Sequence, residues 1–142
     1  ATILGVFNGC FYIDPTSKKP TYSNYYPGSI NVTSAGSISG STNIDAYIYD
    51  DPYMLFEAQC DGTLAKTDIG KNTDTVLTAG STVNGLSKNE IDDSTEATTA
   101  GLQVKIIGIT KDPENDDASS ANANWYVMFN EHVKLGTGIT GT

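Results

Sequence analysis

Trp125-Tyr126-Val127-Met128-Phe129-Asn130 places Trp125, Val127 and Phe129 in alternation with Tyr126, Met128 and Asn130. Successive side chains of an extended chain point to opposite faces, so this spacing predicts a strand with one bulky apolar face. Leu102, Val104 and Ile106 alternate with Gln103, Lys105 and Ile107 in the same way. So do Ile44, Ala46 and Ile48 with Asp45, Tyr47 and Tyr49, which predicts an aliphatic core face and a wetter one. Met54, Phe56 and Ala58 against Tyr53, Leu55 and Glu57 form a further alternating run after the break at Asp50-Asp51-Pro52. No segment carries the 3.6-residue apolar period of a helix packed on a core. About eight to ten short strands separated by Gly, Pro, Asn and Asp turns predict an all-β chain, a single-domain antiparallel β-sandwich or β-barrel.

The connecting segments supply the remaining expectations. Asn8-Gly9 between Val6-Phe7 and Cys10-Phe11 predicts a two-residue hairpin turn at the N-terminal end, and Asp61-Gly62 predicts another leading into Thr63-Leu64-Ala65-Lys66. Thr16 to Gly28 reads as a loop ending in a turn at Pro27-Gly28. Ile30 and Val32 suggest a short strand, and Ser34 to Thr42 a small polar loop. Asp74 to Thr78 and Gly85 to Ile91 read as short strands joined by turns at Gly80-Ser81 and Asn84-Gly85. Asp93-Ser94-Thr95-Glu96 has capping-box spacing, but Ala97 to Ala100 offers no apolar face, so a single turn or loop is expected. A polar loop fills Lys111 to Asn124, and Gly136 to Thr142 is a Gly/Thr-rich tail that needs something to hold it.

Composition narrows the function. The chain has 142 residues, a net charge of −9 and eight basic residues, all Lys. Without Arg and without a cationic patch it lacks the footprint that nucleic acid or an anionic membrane demands. Only 18 % of residues are charged and 38 % are apolar, which leaves Thr, Ser, Asn and Gly to supply a soluble, strand-and-turn surface. Ile3 to Phe7 has no basic region before it and is too short for a signal peptide or a membrane span. Cys10 and Cys60 fall in expected strands, where reduced and buried thiols are anticipated and a cross-sheet disulfide is the alternative.

No arrangement of residues reads as catalytic or metal-binding. His132 is the single histidine, and Asn130, Glu131 and Lys134 beside it make no triad with a nucleophile; a hydrogen-bonding or surface role is expected. One His and two distant Cys do not make a zinc or copper site. Asp112-Pro113-Glu114-Asn115-Asp116-Asp117 is dense in oxygen donors but lacks the spacing of an EF-hand loop, so it reads as a solvated loop. Asp50-Asp51 and Asp92-Asp93 suit turns and caps. There is no phosphate-binding glycine loop and no nucleophile elbow, so neither enzyme activity nor a cofactor is expected. Asn31-Val32-Thr33 matches a glycosylation acceptor only as a short pattern. Tyr22, Tyr25 and Tyr26 cluster in an expected loop, either as contact residues or as a lid folded over the end of the domain.

Several short pieces, taken in order, carry a resemblance. They are Tyr49-Asp50-Asp51-Pro52, Phe56-Glu57-Ala58-Gln59 with Asp61-Gly62, Asp68-Ile69-Gly70, Ile106-Ile107-Gly108, Asp112-Pro113-Glu114-Asn115 and Asn130-Glu131-His132. Together the chain resembles small structural proteins of tailed bacteriophages, especially marine and cyanophage-like ones, that decorate and cement the capsid. The resemblance spans about the last two-thirds of the chain. It implies an all-β fold, no enzyme activity, synthesis in the bacterial host cytoplasm and a place on the outer surface of the virion, bound to the major capsid protein. A chain of this charge is repelled by packaged DNA, which is compatible with an exterior position. Ile3, Leu4 and Phe7, the Tyr22, Tyr25 and Tyr26 segment, and Ile139 in the tail are the expected partner contacts, with a homodimer or homotrimer as a further possibility. The rival expectation is a glycan-binding or adhesion module on a virion or cell surface, which Trp125 and the tyrosines would also suit.

Overall fold

The computed structural model describes residues 2–14, 17–27, 44–115, 118–136 and 138–142. The expected turn residue Gly28, the Ile30/Val32 strand, the Ser34 to Thr42 loop, the Asn31-Val32-Thr33 pattern and Asp116-Asp117 lie outside them. The described chain is all-β: nine strands, every strand pairing antiparallel, and a single 3-10 turn at Lys66–Asp68. The strands are β1 (Val6–Ile13), β2 (Pro20–Ser23), β3 (Ile44–Tyr49), β4 (Phe56–Gln59), β5 (Asn72–Thr73), β6 (Thr75–Val76), β7 (Glu90–Ile91), β8 (Val104–Ile109) and β9 (Asn124–Phe129). The chain divides into two compact units. The first comprises Ala1–Gly5, Asp51–Ala79 and Lys88–Thr142, the second Val6–Asp50 and Gly80–Ser87.

The first unit holds a four-stranded sheet in the order β4-β9-β8-β5 and the two-stranded ladder β6-β7. Register explains its core. Val104 opposes Phe129, Ile106 and Phe56 both oppose Val127, and Ala58 and Ile109 both oppose Trp125. Directly opposed residues share a face, so the apolar alternation of three strands adds up on one side. Cys60, Leu64, Ile91, Ala118 and Ala123 close over that side, and Trp125 and Ile106 are wholly buried. Phe56 and Phe129 meet with ring centroids 4.8 Å apart. A register shift between Ile106 and Gly108 marks a β-bulge in β8, which lets Ile109 return to the apolar face.

Some expected elements are corrected. Asp61-Gly62 does not close a hairpin. After β4 the chain makes an isolated parallel bridge from Cys60 to Ile91, and Lys66–Asp68 form a 3-10 turn whose Ala65 N–H is accepted by the Asp68 carboxylate at 2.7 Å. Pairing partners for β4 come instead from β9, far along the chain, which local turn chemistry cannot anticipate. The run from Tyr53 is extended only over Phe56–Gln59, because Asp51 turns the chain by accepting the Tyr53 N–H on its side chain and the Met54 N–H on its carbonyl.

The second unit holds a three-stranded sheet in the order β2-β1-β3. Asn8-Gly9 is no hairpin turn here; both residues lie inside the continuous strand β1, where the register with β3 shifts between Phe7 and Cys10. The positive φ of Gly9, +107°, is used for a bulge rather than for a reversal. The expected loop from Thr16 to Gly28 contains β2, so Tyr22 sits on a strand. Gly85, at φ +71°, completes the expected turn after Asn84, and the Asn24 side chain donates to the Asn84 carbonyl.

Candidate interaction site

Register sorts the side chains of the second unit into two faces. Cys10 opposes Ser23 and Ala46, Tyr12 opposes Thr21 and Ile44, and Phe7 opposes Ile48. On the other face Phe11 opposes Tyr22 and Asp45, Val6 opposes Tyr49, and Ile13 opposes Pro20; Tyr47 falls on this face by alternation. The first face is the better covered at its centre, where Cys10 is fully buried and its thiol approaches the Tyr25 carbonyl at 3.5 Å. Burial there pushes the Cys10 thiol pKa up. Burial, with the charge of Asp14 second, does the same to the Tyr12 phenol.

The second face is aromatic and open. Tyr22, Tyr47 and Tyr49 are 59 %, 49 % and 46 % exposed, and Val6 and Ile13 are exposed beside them. The Tyr22 and Tyr47 rings stand 6.2 Å apart at 34°. The expectation that the aliphatic side of β3 forms core is corrected: Ile44 is half-buried and Ala46 and Ile48 are exposed. The alternation is as expected, but the sheet has three strands, and the large apolar cluster is built entirely from the first unit. Exposed apolar side chains grouped on one face, rather than scattered singly, are the kind of feature that marks contact surfaces.

Charge is distributed to match. The second unit carries Asp14, Asp45 and Asp50 against Lys18 and Lys19, so nearly all of the net −9 belongs to the first unit. Contact cores are depleted of charge and enriched in Tyr.

The other expected contact residues are placed differently. Ile3 packs against the core of the first unit, its N–H donates to the Glu131 carbonyl at 3.1 Å, and its carbonyl accepts the Val133 N–H at 3.1 Å. The Leu4 side chain is exposed, but its carbonyl is held by His132 Nε2 at 2.9 Å. His132 is fully buried, accepts the Lys134 N–H on Nδ1 at 3.1 Å and stacks on Phe129, so it is a structural clamp between the segment at Ile3-Leu4 and the end of β9. Phe7 is exposed on β1, on the face opposite Tyr22. Tyr26 is exposed, and Tyr25 is half-buried with its carbonyl accepting the Ser23 hydroxyl at 2.7 Å. Ile139 projects its side chain outward while its main chain is held by Asn72 and Asn130.

Sequence reading missed two groupings. Asn72 and Asn130 lie 58 positions apart yet grip one segment; nothing local marks them, because a buried Asn and a loop Asn look alike in sequence. Asp61, Asp92 and Asp93 bring carboxylate oxygens within 4.8 Å of one another. Their oxygens are engaged by the chain itself: Asp61 accepts the Asp93 N–H, Asp93 accepts the Thr63 N–H, and Asp92 accepts both the N–H and the hydroxyl of Ser94. In the acidic loop, Asp112 accepts the Glu114 N–H, and Asn115 ties Thr110 to Asn124.

Among the described residues no helix is long and apolar enough to cross a membrane. No family model, curated protein or solved structure matches this chain.

Proposed function

We propose that this protein acts by binding, as a decoration module that docks on the outer face of a capsid shell through the aromatic face of its three-stranded sheet. The single observation that carries the reading is that Tyr22, Tyr47 and Tyr49 stand exposed together on one face of the three-stranded sheet, with Val6 and Ile13 exposed beside them. Tyr offers a large amphipathic area at a low entropic cost of ordering, so such a face gains from covering by a protein surface. The first unit carries nearly all of the net −9, which discourages contact with nucleic acid. The resemblance to phage capsid decoration proteins supplies the shell of major capsid protein as the partner.

The test is co-sedimentation of the full-length protein with undecorated capsids of tailed phages. Tyr47→Ser with Tyr49→Ser should abolish pelleting while the Trp125 fluorescence of the first unit stays native. Pelleting undiminished by that double substitution means the aromatic face is not the docking surface.

A glycan-binding reading is favoured by one detail: Asp45 shares the row of Phe11 and Tyr22 on that face, placing a carboxylate acceptor beside rings able to stack on a sugar. Binding of the isolated protein to a glycan array, lost in Tyr22→Ser, would select it over the capsid reading.

A further inference from the structure

Gly138–Thr142 is seated in a groove of the first unit, whose hydrogen bonds grip its main chain. The Ile139 N–H donates to Asn130 Oδ1 at 2.9 Å and the Ile139 carbonyl accepts Asn72 Nδ2 at 2.7 Å. The Thr140 carbonyl accepts Lys105 Nζ at 3.3 Å. Beyond it the N–H groups of Gly141 and Thr142 donate to the carbonyls of Thr98 and Gly70, both at 3.0 Å. Side chains are read by exclusion at Gly138 and Gly141, and at Gly70 by a fit, the Thr142 hydroxyl standing where a Cβ would be. A Cβ on Gly138 would lie 2.3 Å from the Ala100 carbonyl oxygen, and one on Gly141 would lie 2.9 Å from Lys71 Cα. Ile139 between them is 72 % exposed, so no apolar anchor holds the segment. The groove therefore reads an extended Gly-x-x-Gly backbone, and 138–141 is where the chain carries that spacing.

The groove is held in shape without its occupant. Asn130 Nδ2 donates to the Ala100 and Leu102 carbonyls at 2.8 and 2.9 Å, Asn72 Nδ2 also reaches the Thr99 carbonyl, and the Asn72 main chain pairs in both directions with Ala97. Asn72 and Asn130 are both buried. Lifting Gly138–Thr142 takes from the buried Asn130 Oδ1 the Ile139 N–H and from the Thr98 carbonyl the Gly141 N–H, and a buried acceptor is costly to leave unpaired. Only a segment of the same backbone pattern restores them. A second copy of this chain carries it, and an exchanged segment remakes every contact of the closed form.

We propose that this groove accepts the Gly138–Thr142 segment of a second copy in place of its own, linking copies by segment exchange. The proposal does not depend on the aromatic face or on the identity of the shell. It assigns a partner, a second copy of the chain, to a surface built of Asn72, Lys105, Thr98, Ala100 and Asn130.

Two full-length variants test it, one carrying Ile139→Cys and one carrying Thr99→Cys, mixed and oxidised mildly, with the wild type as background for Cys10 and Cys60. Non-reducing electrophoresis should show a mixed dimer that grows with protein concentration, and adding Gly138→Ala to the Ile139→Cys chain should eliminate it. A single chain carrying both cysteines reports the closed form as an intrachain disulfide. Intrachain disulfide with no mixed dimer above background overturns the exchange. Neither product overturns the groove assignment as well.

Discussion

The Tyr22 hydroxyl donates to the Asn8 carbonyl at 2.6 Å, across the strand pair β1-β2, and its ring occupies the space a side chain at Gly9 would take. A Cβ on Gly9 would lie 2.3 Å from the Tyr22 oxygen and 2.8 Å from the Ser23 carbonyl. The bulge at Asn8-Gly9 thus makes the seat for Tyr22, and Tyr22 in turn is held beside Tyr47 on the exposed face.

Gly9→Ala should therefore destabilise the second unit by about 1–3 kcal/mol, since it combines positive-φ strain with a clash. Tyr22→Phe, which removes only the hydroxyl bond, should cost about 1 kcal/mol. Amide exchange in β1 and β2, compared with that in β8 and β9, is the measurement. Equal exchange in Gly9→Ala and wild type would refute the seat.

His132→Phe keeps a ring against Phe129 but removes both hydrogen bonds of the imidazole, the one to the Leu4 carbonyl and the one from the Lys134 N–H. A loss of about 2–3 kcal/mol in urea unfolding is expected, in the range for buried polar groups left unpaired. The Val133 amide, which donates to Ile3, should exchange faster as the segment at Ile3-Leu4 loosens. An unchanged unfolding midpoint would show that His132 is no clamp.

Cys10 and Cys60 are free and fully buried. Burial raises both thiol pKa values; at Cys60 it outweighs the lowering by the Gly62 main chain, and the charges of Asp93, Asp61 and Asp92 raise it further. Only the thiolate reacts, so iodoacetamide at neutral pH should leave the native protein unmodified and label both cysteines in urea. Intact-mass measurement distinguishes the outcomes. Rapid native labelling contradicts the packing around the thiol concerned.

Asp68 is a mostly buried carboxylate whose pKa is lowered. Desolvation alone would raise it, but the Lys71 ammonium at 2.8 Å, the Ala65 N–H and the Lys71 charge together prevail. A depressed folded-state pKa contributes stability that is complete above the unfolded value, about 3.9, and is lost as pH falls through the folded value. Asp68→Asn should destabilise the protein by about 1–2 kcal/mol at pH 7, the scale of a lost charged cap. The gap from wild type should narrow below about pH 4, where the wild-type carboxyl protonates too. Urea midpoints of both proteins across that range test the sign; a gap that widens with acid is the wrong one.

Strand existence was legible where alternation was long. The runs at Ile44, Leu102 and Trp125 became β3, β8 and β9, each within two residues of its expected start, because a period of two reflects backbone geometry that needs no tertiary partner. The turn at Asn84-Gly85 was legible for a similar reason, since positive φ is a local demand. Asn8-Gly9 shows the limit of such signals. The same conformational freedom serves a turn or a bulge, and the strands available to pair decided for the bulge.

By itself the sequence determined that this protein is all-β, acidic and without Arg, with Trp125, Val127 and Phe129 turned to one side. Only the tertiary structure decided which apolar faces are buried, that the tyrosines of β2 and β3 share an open face, and that Asn72 and Asn130 hold Gly138–Thr142. The reason is physical. Alternation is a property of one strand, whereas burial and side-chain grip depend on which distant strands hydrogen-bond beside it, and that pairing is a competition over the whole chain.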